Sequence, residues 1–242
     1  YGRPVHLDQL RQSIRVTSDG GFEAPIPDWT AFAPRRAGGE EDWPAEYADL
    51  ASSVQVRLEE VLVELAQWLH EQTGDRVLTM AGGTALNCVA NTRIWRETPF
   101  EQVWVQPAAG DAGTALGAAL ALCGGEGELC APMTTAALGR GWSDDELAAA
   151  LRAANVPFRT PDDLPAAAAN VLETDGILAW FDGRSEYGPR ALGHRSLMAH
   201  PGRAANLERL NDVKGREQFR PVAPMVLAER AEAIFTDGPL PS

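Results

Sequence analysis

Lysine is almost missing from this chain: Lys214 is the only one, and every other basic side chain is an arginine. A genome biased towards arginine explains this wherever charge alone matters. The retained lysine is then a candidate for a task that needs a compact ammonium rather than a planar fork. Cysteine is scarce too. Cys88, Cys123 and Cys130 form no CxxC pair, which argues against a disulfide framework and points to a reduced compartment, the cytoplasm. His6, His70, His194 and His200 are scattered without an HxxxH pair, so the chain shows no metal cage of its own. No apolar run approaches the roughly 18 residues of a spanning helix. No basic segment followed by an apolar one marks a secretory signal. The chain opens on Tyr1 and not Met, and its natural start is expected upstream.

What is present suits a globular protein. With 45% hydrophobic residues over 242 positions, the chain can bury a real core in one large domain or two modest ones. Net charge is −13, which argues against nucleic acid and anionic membranes as partners. One segment reverses the sign. Between Gly183 and Arg230 there are nine Lys/Arg against five acids, a local +4.

Along the chain, residues 1–48 are rich in Pro, Gly and acids and read as a loosely structured lead-in with one hairpin near Asp19-Gly20-Gly21. Val54, Leu58, Val61, Leu62, Leu65 and Leu69 form an amphipathic helical stripe that Gly74 closes. Strands are predicted at Val77–Met80 and Val103–Val105, each running into a Gly turn and then a helix, the pattern of an α/β architecture. Gly124–Pro132 reads as a linker, with domains expected at 1–130 and 131–242. Ser143 with Glu146 predicts a capping box. An Ala-rich helix follows at Leu164–Leu172, then a strand at Ile177–Phe181 and another at Val222–Leu227.

Four segments could carry chemistry. In Ala81–Asn87, the paired glycines Gly82 and Gly83 at a strand end let a ligand approach the backbone, or form a tight structural turn. In Gly110–Thr114, Asp111 suits a divalent metal or a helix N-cap. Gly183–Ser196 carries Arg184, Arg190 and Arg195, and Lys214–Pro221 adds Lys214, Arg216 and Arg220. Guanidinium groups clustered on a loop grip phosphate or carboxylate. Two such loops in an acidic protein favour a small polyanion over solvated surface charge, and aromatic interleaving is too thin for a nucleic-acid track.

In family order, five stretches resemble the NodU/CmcH-type O-carbamoyltransferases: Ala48–Gln55, Ala81–Cys88, Gln106–Ala119, Gly183–Ser196 and Leu210–Pro224. The resemblance implies an α/β protein in which part of an actin/sugar-kinase-like (ribonuclease-H-type) lobe precedes a YrdC-like domain. It implies that carbamoyl phosphate and ATP give carbamoyladenylate in the YrdC-like domain, and that a divalent metal, iron or magnesium, helps move the carbamoyl group to a hydroxyl of a small-molecule acceptor. By position, Asp111 would be a metal ligand, and Gly82, Gly83 and Asn87 would line the kinase-like pocket. Arg190, Lys214 and Arg220 would be the catalytic contacts to carbamoyl phosphate or the adenylate, with Arg184, Arg195, Ser196 and Arg216 beside them. Family members are about twice this length, so the resemblance also implies a front half that supplies the metal histidines, and that the isolated chain does not catalyse full transfer. The alternatives are a noncatalytic or split subunit paired with a metal-binding partner, a homodimer, and a small-molecule kinase, although Gly183–Ser196 has no place in a kinase.

Overall fold

The computed structural model describes residues 1–35, 44–128, 131 and 133–235. Cys130 and part of the expected linker lie outside them. The chain forms two compact units, one of Tyr1–Gln106 with the segment from Ala231, the other of Pro107–Arg230. Among the described residues no helix is long and apolar enough to cross a membrane. The fold is mixed α/β, with helices and three two-stranded sheets among the described residues.

Within the expected lead-in, residues 1–35 carry defined elements where loose structure was expected, and residues 36–43 lie outside the described residues. Helix α1 (Leu7–Ser13) buries Leu10 completely. The predicted hairpin is present: β1 (Arg15–Val16) pairs antiparallel with β2 (Phe22–Glu23). Polar anchors hold this segment on helix α2 (Ala45–Thr73), which is why hydrophobicity alone does not reveal it. The Arg3 N–H donates to Asp49 at 2.6 Å and the His6 N–H to the Ser53 hydroxyl at 3.1 Å. Arg57, almost fully buried, donates to the Ile14 carbonyl at 3.0 Å and pairs with Glu60 and Glu64. Helix α2 ends, as predicted, on Gly74 in the left-handed region.

The predicted stripe of α2 divides. Val61 and its neighbours Val63 and Ala66 enter the core, whereas Val54 and Leu58 line an open apolar groove with Trp29, Tyr47 and Leu50. Strand β3 (Val77–Met80) runs parallel to β4 (Gln102–Val105), joined through helix α3 (Cys88–Glu97) as a parallel pair requires. Val63, Ala66, Leu78, Ile94 and Phe100 form the core between helices and sheet, with Leu62, Met80 and Val103 packed against it. Burial of a large apolar side chain contributes roughly 1.5–3 kcal/mol.

The second unit begins with helix α4 (Ala112–Gly125). Helix α5 (Asp144–Ala153) starts with the predicted capping box, in which the Glu146 N–H donates to the Ser143 hydroxyl and the Ser143 N–H to the Glu146 carboxylate. Helix α6 (Leu164–Glu173) is capped by Asp163. Strand β5 (Leu178–Phe181) pairs antiparallel with β6 (Arg195–Met198), Phe181 opposite Arg195. Strand β6 was not predicted, because its first half falls in the cationic stretch. Helix α7 (Ala205–Val213) follows. The strand expected at Val222–Leu227 is absent. Pro221 and Pro224 remove the N–H groups that a ladder would need.

Candidate functional site

The cationic stretch is the connection of a β-hairpin. Residues 182–194 leave β5 and return into β6, and three of the predicted side chains are consumed in holding that connection. Arg184 donates to the carbonyls of Gly139 and Leu138, both at 2.7 Å. Arg195 donates to the carbonyls of Asp182, His194 and Gly183, and its guanidinium lies 3.5 Å from the Phe181 ring centre. The Ser196 hydroxyl accepts the Gly193 N–H at 3.1 Å. Arg184 thus ties the connection to residues 138–139, and Arg195 closes it by binding carbonyls at both of its ends.

Arg190 is different. It is exposed, and among the described residues no hydrogen bond or ion pair engages its side chain. The loop around it is pinned. The Tyr187 N–H donates to the Ala136 carbonyl at 2.6 Å, and the Gly139 N–H to the Ser185 carbonyl at 2.9 Å. Gly188, with φ +104°, lies so close to Ala108 that an added Cβ would come within 2.7 Å of the Ala108 Cβ. Only glycine meets both conditions. Ala108 is itself buried, in the turn that leads to Asp111. The Asp111 turn and the Arg190 loop are therefore in contact, which sequence spacing did not suggest. The Tyr187 hydroxyl is buried and has no hydrogen-bond partner among the described residues.

Glu186, the single acid in Gly183–Ser196, was counted only as a charge in the sequence. Its Oε1 accepts three backbone N–H groups, those of Leu192 (2.7 Å), His194 (2.7 Å) and Arg195 (3.1 Å). Desolvation pulls its carboxyl up, but these donors outweigh that effect and hold it at about 2.

The second cationic segment is organised by another residue that sequence reasoning missed. Asn211 on α7 is completely buried. Its Oδ1 accepts from Arg216 Nε at 2.5 Å, and its Nδ2 donates to the carbonyls of Gln218 (3.3 Å) and Arg220 (3.0 Å). Arg216 also donates to the Pro221 carbonyl. Arg220 pairs with Glu217, which raises the arginine and lowers the carboxyl. Lys214 caps α7 with an exposed side chain that engages no partner among the described residues. No ion pair among the described residues joins the Arg190 loop to the Lys214 segment.

In the first unit, Gly82 has φ +94°, and a Cβ on Gly82 or Gly83 would meet nothing within 4 Å. Backbone there faces open space. Asn87 works for the fold: it caps α3 by accepting the Ala90 N–H, and it exchanges amide hydrogen bonds with Gln55. Asp111 is exposed at the N-cap position of α4, but makes no side-chain cap bond. A metal needs further donors. Among the described residues no group of three or more His, Cys, Asp or Glu could hold one, so Asp111 has no companion ligands there and no step is derived through a metal.

Residues 32–120 match the family description "Carbamoyltransferase N-terminus" and residues 169–241 match "Carbamoyltransferase C-terminus". Nodulation protein NolNO of Sinorhizobium fredii is 35% identical over 97% of this chain and 36% of its own length. Nodulation protein NolO of Bradyrhizobium diazoefficiens is 37% identical over 97% of this chain and 45% of its own. An uncharacterized protein of Synechocystis is 39% identical over all of this chain and 44% of its own. The chain thus spans less than half the length of these curated relatives. With the two family descriptions matched in order along it, the chain belongs to the carbamoyltransferase family.

Proposed function

We propose that this chain is part of an O-carbamoyltransferase in which carbamoyl phosphate is cleaved by water to carbamate, phosphate leaving, and a carbamate oxygen attacks the α-phosphorus of ATP to give carbamoyladenylate, pyrophosphate leaving, before the carbamoyl group moves to a hydroxyl of a small-molecule acceptor and AMP departs. The observation that carries this reading is the division of the cations. Arg184 and Arg195 are spent on backbone carbonyls, and Arg216 on the Asn211 amide oxygen and the Pro221 carbonyl, while Arg190 and Lys214 stand exposed on pinned segments without partners among the described residues. Two phosphate-bearing reactants repel each other. Fixed cations lower the cost of bringing them together and stabilise the charge that develops as pyrophosphate departs. Arg220, tied to Glu217 on one face, would add a further contact. The fold assignments that accompany this reading are an actin/sugar-kinase-like lobe and a YrdC-like domain, and the compartment is the cytoplasm.

Lys214→Ala is expected to abolish pyrophosphate release that depends on both ATP and carbamoyl phosphate, followed in a coupled assay. Release at the wild-type rate overturns the assignment. A second reading has its own support: with no metal-binding group of three among the described residues, a divalent metal would need ligands from another polypeptide or chain segment. Co-purification with a metal-binding partner, and no carbamoylated product without it, would favour a split subunit.

A further inference from the structure

Glu186 is the only acid between Gly183 and Ser196, and its carboxylate turns inward. By accepting the N–H groups of Leu192, His194 and Arg195 it closes a ring over residues 186–192, a stretch that carries Arg190. The remaining N–H of that run, from Gly193, goes to the Ser196 hydroxyl. Four successive backbone donors are thus satisfied from within the hairpin. Such a convergence of N–H groups is a natural anion nest, and the chain fills it with its own carboxylate.

We propose that Glu186 is a positioning residue for Arg190: its carboxylate locks the loop so that the Arg190 guanidinium is presented, unpaired, in the orientation that a phosphate-bearing donor requires. This rests on the reading of Arg190 as an anion ligand. The locking group suits the task in three respects. Bonds from N–H to an ionised carboxylate are about twice as strong as neutral ones. The carboxyl stays ionised far below neutral pH, so the lock does not open under ordinary conditions. Glu186 also points its charge at backbone and not at Arg190, with which it forms no ion pair, so it holds the cation without neutralising it. A loop backbone fixed in advance loses less freedom when the guanidinium it carries grips a ligand.

The test is a double-mutant cycle with carbamoyl phosphate as the probe, its affinity for the full chain measured by titration calorimetry. Glu186→Gln preserves shape but removes the charge. It is expected to weaken binding about tenfold when Arg190 is present, and less than about twofold when Arg190 is already alanine. An equal loss in both backgrounds assigns Glu186 a general structural role and overturns the proposal, as does unchanged binding in the single variant. Wild-type affinity in Arg190→Ala alone refutes the underlying reading of Arg190, a result separable from either of those. If Glu186→Gln fails to fold by circular dichroism, Glu186→Asp, which keeps the charge but withdraws it by one methylene, enters the same cycle and is judged by the same outcomes.

Discussion

Asn211 allows the energetics of the Lys214 segment to be worked out from single contacts. Replacing it with alanine removes two neutral hydrogen bonds, to the carbonyls of Gln218 and Arg220, and one charge-assisted bond from Arg216. The neutral bonds contribute about 1 kcal/mol each and the charged one about 1.5–3 kcal/mol, a total of about 4 kcal/mol. The side chain is completely buried, so water cannot readily replace these partners, and the carbonyls keep their desolvation cost. For a unit of this size, about 3–5 °C of melting temperature corresponds to each kcal/mol. Asn211→Ala should therefore lower the transition of the second unit by about 15 °C in scanning calorimetry. Asn211→Asp separates hydrogen bonding from packing. It keeps the volume and the acceptor for Arg216, but sets an oxygen against the two carbonyl oxygens that Nδ2 now serves. The aspartate variant should be no more stable than the alanine variant. An aspartate variant near wild type, or an alanine variant shifted by less than about 4 °C, would show that these bonds do not hold the segment.

The close approach of Gly188 to Ala108 predicts that Gly188→Ala destabilises the second unit by roughly 1–3 kcal/mol, since it combines a positive φ with a Cβ collision; a urea melt superimposable on wild type would contradict the contact. In the first unit, the hydrogen bond from Arg11, followed by that from Arg57, holds the Glu60 carboxyl below its ordinary value. A depressed folded value means that Glu60 contributes its full stabilisation above the ordinary glutamate range, and that this is lost as pH falls through the folded value. Urea unfolding between neutral pH and about pH 3 should accordingly show a weaker pH dependence in Glu60→Gln, and an identical profile would remove Glu60 from the acid response.

Much of the backbone was legible because its signals are local. The Gly74 stop of α2, the Ser143–Glu146 box, the hairpin at Asp19–Gly21 and the strand at Val77–Met80 each depend on residues only a few positions apart. What failed was non-local or was defined by a missing partner. Helix α1 is tied down by Ser53, Asp49 and Arg57, more than 40 residues away in sequence, and nothing within residues 1–48 announces those partners. Val222–Leu227 has the apolar content of a strand, but no neighbour to pair with among the described residues.

The candidate site divides along the same line. Composition finds cations, because charge is a property of each residue; it cannot tell which of them a fold has already used. Arg184 and Arg190 are equivalent as residue types six positions apart, yet one guanidinium serves two carbonyls and the other serves none among the described residues. The difference comes from the segment at Leu138–Gly139, some 45 residues earlier in the chain, which packs beside Arg184 and offers it two carbonyls. The residues that impose this order, Glu186 and Asn211, carry the wrong charge or none, and so escape a search for anion-binding groups. In a cationic loop, an isolated acid or a buried amide has to be explained by the N–H and C=O groups of the turn itself. Sequence offers one usable signal for this: a lone carboxylate followed within a few residues by Gly-Pro-Arg, where a tight turn must leave backbone donors exposed. Substituting that acid separates the two roles, since it should disturb the turn and leave the number of cations unchanged.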